Sequence, residues 1–552
     1  MLNINKKWCL LAILLISHFN RSDNCSSDDG CSAMSNNLWQ PHAFSNYASR
    51  EILVMKGLDV DKEKKDWVSR FGLTSEYMQN FRNLCTGLGA LPFWSGTNTM
   101  TIGDNSGEFD IDTYQFGMGD VKKIDGVVQS GTISLSPTIQ QMGTELLWWL
   151  QQHDDKPGVY FKLKVPLGAM RVTNKLCEQP ATLTGENVYT GLNNRVLIAP
   201  PAFYPTLSDA FAGGIETQDP LFAYGRISCC TNTAVRFGDL TLVLGGNFVA
   251  NENGHAGIGF KVSCPTGNVP TAQYVLEPIF GRAGHWGAGA EFYGHYKKYT
   301  NSDDSRYWTF WVQAELMHLF SGRRPSWRSF DLKANGPGSK YLMVQHYIYG
   351  GNTTLTTPSH LHPAINITTM PVFSTFEMEG NCAMMFDYHW DNFNIGLAGE
   401  FWGRTKESLA IDVCKAHQDR DNRLEDFELN NYAVVGRQIG QIGTNAPTWC
   451  EPLARINKSQ DRFFGTTDAP KGIVDATLAE NRIPSDFDEA LDICGAAAPR
   501  VFTGKLLGEL GYTWSDRKSV PHVSLFGAVE LAGSDERAAN LWSVGVQGSL
   551  QF

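Results

Sequence analysis

The sequence predicts an all-β fold: an antiparallel transmembrane β-barrel of about 12 strands, with long loops and a short helix that could plug the lumen. Three observations lead to this prediction. Long segments alternate apolar with polar residues, no segment approaches the roughly 18 consecutive apolar residues of a membrane-spanning helix, and the N-terminus resembles a secretory signal. The 552 residues are 12% aromatic and include 54 glycines. That composition suits a wall with one lipid face and one wet face, although a large soluble β protein would share it.

The charge of the chain argues against one class of partner. The formal net charge is −11, and no basic stretch stands out that would neutralise phosphates. We therefore expect no nucleic-acid partner.

The first residues are typical of an exported protein. Lys6 and Lys7 precede an apolar run from Trp8 to Ile16, which is about half of what a spanning helix needs. We assign residues 1–22 to a signal peptide, with cleavage between Ser17 and Asp23. Residues 23–65 then form an N-terminal periplasmic or lumenal extension, and residues 66–552 form the barrel.

The alternation separates charged from apolar side chains. Successive side chains of a strand point to opposite faces, so a phase without charges marks the lipid face. Between Val159 and Ala169 the odd positions are apolar, whereas the even positions include lysines. Segments such as 306–320 also exceed the about 5 to 6 residues of a soluble strand and suit a tilted membrane strand of about 9 to 11 residues. The charged and amide residues of the opposite phase are the candidate pore-lining residues: Lys162, Lys164, Glu291, Gln313, Glu315, Glu400, Arg404, Lys505, Glu509 and Glu530.

Short polar turns link several of the predicted strands, as at 154–158, 251–254 and 515–518. Twelve strands are predicted: 67–81, 134–150, 158–173, 234–250, 254–264, 284–297, 306–320, 372–387, 392–404, 500–515, 520–532 and 540–552. A count of 14 is the alternative, because 339–350 and 431–442 also look extended.

The C-terminus carries a family resemblance. Trp542, Val544, Val546, Leu550 and Phe552 share one phase of the last segment. This pattern, ending in an aromatic residue, resembles the last strand of Gram-negative outer-membrane β-barrels and, by that resemblance, their assembly signal. The resemblance implies a bacterial outer-membrane location, contact with outer-membrane lipid and insertion by the barrel-assembly machinery. It points to no specific channel family.

Three long inserts interrupt the strands near 175–232, 321–369 and 405–499. The third contains a predicted helix that Ser485 caps and Pro499 stops. This helix lies against or inside the barrel mouth, or it decorates an outer loop. Most of the cysteines lie in the predicted loops, and loop disulfides are the natural expectation in an oxidising compartment: Cys25, Cys31, Cys177, Cys229, Cys230, Cys264, Cys414, Cys450 and Cys494.

Motifs for chemistry are sparse. The sequence contains no nucleophile elbow, no H-E-x-x-H pair and no P-loop, so we assign no catalytic residue, no cofactor and no metal. The pairs Cys414/His417 and His360/His362 lack a second pair at zinc spacing. His318 lies on the predicted lipid face and is the one histidine to test for a lipid-modifying activity.

The inward charges predict a porin-like function, the passive passage of small hydrophilic solutes or ions. The competing interpretation is that these charges pair across the lumen and close it. Three other functions remain open: a non-conducting surface protein that binds through its loops, a transporter of hydrophobic substrates, and a lipid-modifying barrel enzyme. A homo-oligomer is compatible with this class, but no subunit interface is specified.

Overall fold

A closed antiparallel barrel of 12 strands forms the body of the molecule in the computed structural model. The predicted antiparallel barrel of about 12 strands is therefore confirmed. The structure describes residues 35–39, 42–56, 67–81, 86–103, 109–113, 122–152, 156–183, 188–190, 196–198, 206–213, 222–227, 231–251, 253–299, 306–322, 324–349, 355–416, 432–434, 438–439, 449–450, 486–515, 517, 519–532 and 539–551.

Each barrel strand pairs with its neighbours in chain order. The first strand also pairs with the last, with Arg70 opposite Gln551, and this pairing closes the wall. The strands are β1 (Trp67–Asn80), β2 (Thr138–Gln152), β3 (Gly158–Thr173), β4 (Leu240–Asn251), β5 (Gly254–Cys264), β6 (Trp286–Tyr299), β7 (Arg306–Phe320), β8 (Thr369–Trp390), β9 (Phe393–Arg404), β10 (Val501–Thr513), β11 (His522–Ala532) and β12 (Leu541–Gln551).

The alternative count of 14 strands is wrong. Met343–Tyr349 and Tyr432–Val434 do extend, but they pair in a separate sheet with Leu355–Pro363. Three further strands lengthen the barrel wall beyond the twelve. Thr231–Phe237 pairs with the last residues of β3, and Ser326–Ser329 and Glu407–Ile411 pair with the first residues of β8.

The remaining elements are short. The other strands are Thr99–Gly103, Ile111–Asp112, Lys123–Ile124, Val127–Val128, Gly131–Leu135, Leu176–Gln179, Val188–Thr190, Val196–Ile198, Gln438–Ile439 and Trp449–Cys450. The helices are α1 (Ala48–Lys56), α2 (Thr86–Ala90), α3 (Leu207–Ala212), α4 (Ile365–Thr368), α5 (Phe487–Ala490) and α6 (Ile493–Ala496), with 3-10 turns at Phe44–Asn46 and Ser339–Tyr341. Among the described residues, no helix has the length and apolar character needed to cross a membrane.

The outer face of the barrel is apolar. Leu244 and Leu525 expose 66% and 65% of their surface, although they are large aliphatic residues in the middle of the sheet. Aromatic residues stand at the strand ends, as expected where a wall meets the two lipid interfaces. These exposed aromatic residues include Trp67, Tyr296, Trp308, Trp390, Phe393 and Trp514 near one end and Phe237, Trp286, Phe320, Phe373, Phe401 and Phe502 near the other.

The two ends of the barrel differ in their connections. At one end, here the short-turn end, strands are joined by few residues, as between Asn251 and Gly254 or between Trp390 and Phe393. The opposite long-loop end carries all three predicted inserts. In outer-membrane barrels the short turns face the periplasm and the long loops face the cell exterior.

The predicted helix over 485–499 is wrong in detail. Two four-residue helices, α5 and α6, take its place, and Asp486 and Asp492 cap them. Leu491 leaves the helical conformation because it forms a β-bridge with Leu332 in the long-loop region. These helices therefore pack among the loops, and the lumen is filled by another segment. Ser485 lies outside the described residues.

The described cysteines bear out the expected loop disulfides only in part. Cys177, Cys264 and Cys414 are free thiols, and so is Cys382 of β8, whereas Cys494 is disulfide-bonded. Of the other cysteines named for disulfides, Cys25, Cys31, Cys229 and Cys230 lie outside the described residues.

Candidate functional site: the lumen and its N-terminal plug

The lumen is occupied by residues 42–56, which we call the plug. It consists of the 3-10 turn Phe44–Asn46 and helix α1, and its side chains are buried. The preceding residues lie among the loops, where the Ser35 amide donates to the Phe93 carbonyl at 3.3 Å. At the other end of the plug, Lys56 reaches Asp387, three residues before the short turn that follows β8. The segment therefore runs along the lumen from the long-loop end towards the short-turn end.

Helix α1 depends on the wall for its stability. Its nine residues are good helix formers on the whole, but a helix of this length is marginal in water by itself. Glu400 of β9 caps its N-terminus: the carboxylate accepts from the amides of Ala48 at 2.7 Å and Ser49 at 3.3 Å, and from the Ser49 hydroxyl at 2.5 Å. A carboxylate at this position also interacts favourably with the helix dipole.

The apolar side chains of α1 pack against apolar residues of the inner wall. Ile52, Leu53 and Met55 are among the buried residues that cluster with Trp149 and Trp311. Val54 lies so close to Gly72 of β1 that a Cβ there would be 2.2 Å from a Val54 methyl carbon. The contact requires glycine at that position, so wall and plug are fitted to each other.

The Glu51 carboxylate is surrounded by donors from the wall. Lys162 lies 3.4 Å from one of its oxygens, and the Gln313 amide donates to the same oxygen at 3.1 Å. Lys164 contacts the other oxygen, and Lys261 lies 3.9 Å from it. These four residues belong to β3, β5 and β7 and are buried, as Glu51 is.

The two cations of α1 point to acidic parts of the wall. Arg50 donates to Glu76 of β1 at 3.1 Å, and a second guanidinium nitrogen lies 3.9 Å from Glu145 of β2. Lys56 lies 2.9 Å from Asp387 of β8 and also contacts Glu509 of β10. Ion pairs in such a buried place are costly to break, because one partner is then left without compensation.

The first turn of the plug makes a further set of polar contacts. The Tyr47 hydroxyl donates to Glu530 at 2.9 Å, and the His42 ring lies 3.3 Å from the same carboxylate. Asn46 donates to Glu379 at 3.0 Å, and its own carbonyl accepts from Asn381.

All ten candidate residues predicted from the alternation lie on the inner face and are buried. Seven of them contact the plug directly: Lys162, Lys164, Gln313, Glu400, Lys505, Glu509 and Glu530. Three contact wall residues instead: Glu291 pairs with Lys162, Glu315 with Lys261, and the Arg404 guanidinium lies over the Phe376 ring. Their role as pore-lining groups stays a prediction.

Sequence reasoning missed the partners of these residues. Lys261 and Asp387 lie between apolar neighbours and could have been found by the same alternation. Arg50, Glu51 and Lys56 precede the first strand and carry no strand signal. Only a short run of helix formers marks them.

The charges of the inner wall are unevenly distributed. Strands β3 to β5 contribute three lysines (Lys162, Lys164 and Lys261) and no carboxylate to its buried charged groups. On β8 to β11 the buried carboxylates outnumber the buried lysines and arginines: Glu379, Asp387, Glu400, Glu509 and Glu530 face Arg404 and Lys505. One arc of the wall is therefore basic and the facing arc is mainly acidic.

Three inward carboxylates, those of Glu51, Glu291 and Glu315, lie close enough to share a cation, with oxygens within 4.8 Å of one another. Each already contacts a lysine, since Lys164, Lys162 and Lys261 pair with them in that order. The ammonium groups take the place a metal ion would need, so we assign no metal here.

Other predicted positions lie outside the lumen. The His318 ring nitrogen donates to the Glu377 carbonyl at 2.9 Å, which is a contact with the backbone and not with a nucleophilic side chain. Cys414 is exposed, while His417 and the side chains of His360 and His362 lie outside the described part.

The residues of the predicted assembly signal follow the strand alternation. Val544, Val546 and Leu550 of β12 are exposed on the outer face, and Trp542 packs beside the Tyr77 ring. Phe552 lies outside the described residues. Their recognition by the assembly machinery stays a prediction.

No family model matches the chain, and no curated protein matches it in sequence. Solved structures that align with it include an outer membrane channel from Pseudomonas putida F1, at 8% identity over 88% of this chain and 95% of that chain with a TM-score of 0.35. OprD of Pseudomonas aeruginosa aligns at 8% identity over 89% and 97% with a TM-score of 0.18. A FadL homologue of Pseudomonas aeruginosa aligns at 8% over 94% and 97% with a TM-score of 0.25.

The fold assignment rests on the strand pairings and the surface of the chain itself. A closed antiparallel wall satisfies every strand edge, and its apolar outer face with aromatic rows suits a lipid bilayer. The chain is a closed antiparallel β-barrel whose outer face suits a lipid bilayer, as in outer-membrane barrels.

Proposed function

We propose that this protein is an outer-membrane channel for small hydrophilic solutes, and that the plug holds it closed in the described conformation. The observation that carries the proposal is the independence of wall and plug. The twelve strands pair around the full circle without any contribution from residues 42–56. Displacement of the plug would therefore leave the wall complete.

The nature of the wall supports a hydrophilic solute. In the closed protein Lys164 contacts Glu51, Glu400 caps the N-terminus of α1, and Asp387 pairs with Lys56. Once α1 moves away, these three wall residues face the lumen. A basic arc opposite a mainly acidic arc orients dipolar solutes and sets ion preference. Both properties are expected of a polar pathway.

One observation favours a second candidate, a channel for hydrophobic solutes. Trp149, Tyr160 and Tyr293 form an aromatic cluster on the inner wall, with ring centroids 4.8 to 5.5 Å apart. Such a cluster offers an apolar surface. The Lys162 ammonium lies over the Trp149 ring at 4.6 Å, so a charged group borders the cluster. We therefore rank this candidate second.

The test is single-channel conductance of the full chain in planar bilayers. Substitution of Arg50 and Lys56 by alanine removes two cations that anchor the plug, so we expect larger or more frequent conductance steps than in the wild type. Lys156→Ala removes a cation from an exposed turn and serves as the matched control.

The solute class is read in the same variants by liposome swelling. A neutral sugar should enter vesicles that contain the double variant faster than vesicles with the control. Silence of all three proteins, with the barrel shown to be folded, would overturn the channel proposal. Conductance without sugar entry, together with uptake of a small hydrocarbon, would favour the second candidate.

A further inference from the structure

We propose that the lumen wall contains a binding site for small organic carboxylates, which the Glu51 side chain occupies in the closed protein. The site is made of Lys162, Lys164, Lys261 and Gln313. The inference deepens the proposed function, on which it rests for the access of a solute to the site. Glu51 then acts as a tethered competitor of the solute.

The geometry is that of a carboxylate receptor. Both oxygens of Glu51 are contacted from the wall, one by Lys162 and Gln313 and the other by Lys164 and Lys261. Charge-assisted bonds of this kind are stronger than neutral ones and favour a carboxylate over an amide or an alcohol. Three ammonium groups and one amide therefore surround the two oxygens of a single carboxylate.

The strand pairing of the barrel fixes the backbone positions of these donors, and the plug takes no part in that pairing. Lys162 of β3 and Lys261 of β5 both lie opposite Val243 of β4, one on either side of that strand. Lys164 lies two residues further along β3, so its side chain shares the inner face with Lys162. Departure of α1 would leave this part of the wall intact.

Lys164 depends on the plug for its close contacts. Two of the three lysines have contacting carboxylates on the wall, since Lys162 lies 2.6 Å from Glu291 and Lys261 pairs with Glu315. The Lys164 ammonium contacts Glu51 and donates to the Ser45 carbonyl at 2.9 Å, and both of these residues belong to the plug. Among wall residues, Glu145 of β2 is the carboxylate that acts most strongly on it, without a direct contact. Removal of the plug therefore leaves Lys164 free to contact a carboxylate that enters the lumen.

The surroundings favour a carboxylate that carries an apolar group. The Lys162 ammonium lies 4.6 Å from the centre of the Trp149 ring and 5.0 Å from that of Tyr293. An aromatic or aliphatic body attached to the carboxylate can pack against these rings, while the acid group meets the lysines. Acetate is the minimal probe of the site, and benzoate adds the apolar body.

The experiment is chemical rescue in the full chain. Glu51→Ala removes the carboxylate and leaves space for an added anion. We expect acetate to raise the unfolding temperature of this variant in a concentration-dependent way at constant ionic strength, because a ligand that binds only the folded state stabilises it. Benzoate should act at lower concentration than acetate. Acetamide, which has the same shape and no charge, should have no comparable effect.

Two controls define the site. The wild type should not respond to acetate, since Glu51 fills the site. The double variant Glu51→Ala/Lys164→Met should lose the response because the lysine that contacts Glu51 most closely is gone. Equal shifts with acetate and acetamide, or a response that survives Lys164→Met, would overturn the proposal.

A variant that folds poorly still gives a result. Glu51→Ser keeps a hydroxyl near the lysines and serves as the second variant. For either variant the yield of heat-modifiable barrel on refolding is measured in acetate and in acetamide. A higher yield in acetate supports the site, and equal yields contradict it. Because no step depends on conduction, failure of the channel proposal would appear only in the bilayer recordings and would leave this readout unchanged.

Discussion

Substitution of Glu51 by glutamine should open the lumen. The glutamine amide keeps the size of the side chain but removes its negative charge. That charge is contacted by Lys162 and Lys164, and Lys261 lies 3.9 Å from it. Loss of one partner of a buried ion pair costs about 3–5 kcal/mol. At about 1.4 kcal/mol for each factor of ten, the ratio of open to closed protein should rise about 140-fold to 4,000-fold. Single-channel recording of the full chain measures this ratio as open probability.

A double-mutant cycle separates the lost ion pair from general damage to α1. Lys164→Met removes the charge opposite Glu51 and leaves an apolar side chain of similar length. The double variant Glu51→Gln/Lys164→Met should be less open than the sum of the two single changes predicts, because both charges are absent, with a coupling of about 0.5–3 kcal/mol between the two positions. Additive effects of the two changes, or an unchanged open probability in Glu51→Gln with a folded barrel, would refute the reasoning.

Three other results are expected. Glu400→Gln weakens the cap on the amides of Ala48 and Ser49 and should lower the stability of the closed state by about 1–2 kcal/mol, seen as a smaller rise in open probability than in Glu51→Gln. Leu506→Arg puts a charge on the lipid face and should cost about 2–4 kcal/mol of folding free energy in lipid vesicles, whereas Leu506→Ala should cost less. Burial alone would raise the pKa of Glu407, but Arg328 at 2.7 Å and its other donors lower that pKa below the ordinary 4.5. Its stabilisation is present above pH 4.5 and is lost as the pH falls through the lowered pKa. The Ala498 amide donates to Glu407 at 2.7 Å, so its protection from hydrogen exchange, measured relative to the intrinsic rate at each pH, should fall in acid, and Glu407→Gln should flatten that dependence.

The wall of the barrel could be predicted from the sequence because apolar residues for the lipid face and polar residues for the lumen alternate along each strand. Lys162 and Lys164 fall between apolar residues that meet lipid, and the same contrast fixes the phase of Glu509 and Leu506. A slip of one residue would place all of these charges in lipid, so the phase is strongly specified. The short polar turns mark where several strands end.

The plug could not be predicted in the same way, because its environment is neither lipid nor water. Arg50, Glu51 and Lys56 are charged residues of a short helix, and in the sequence they look like the solvated face of any surface helix. Their burial becomes possible only through the wall carboxylates and lysines, which are far away along the chain. The helix over 485–499 failed for a related reason, since a β-bridge to Leu332 interrupts it.

The course of the plug has a consequence for biogenesis. The segment precedes β1 in the chain, yet the seam that seals the barrel joins β1 to β12, the last strand to be made. A sealed ring would have to be threaded by the residues from Ser35 to Lys56, and a folded domain fused ahead of them could not pass through a filled lumen. We therefore expect the seam to close around a segment that already lies inside. In that order of assembly the open sheet is the template on which α1 forms.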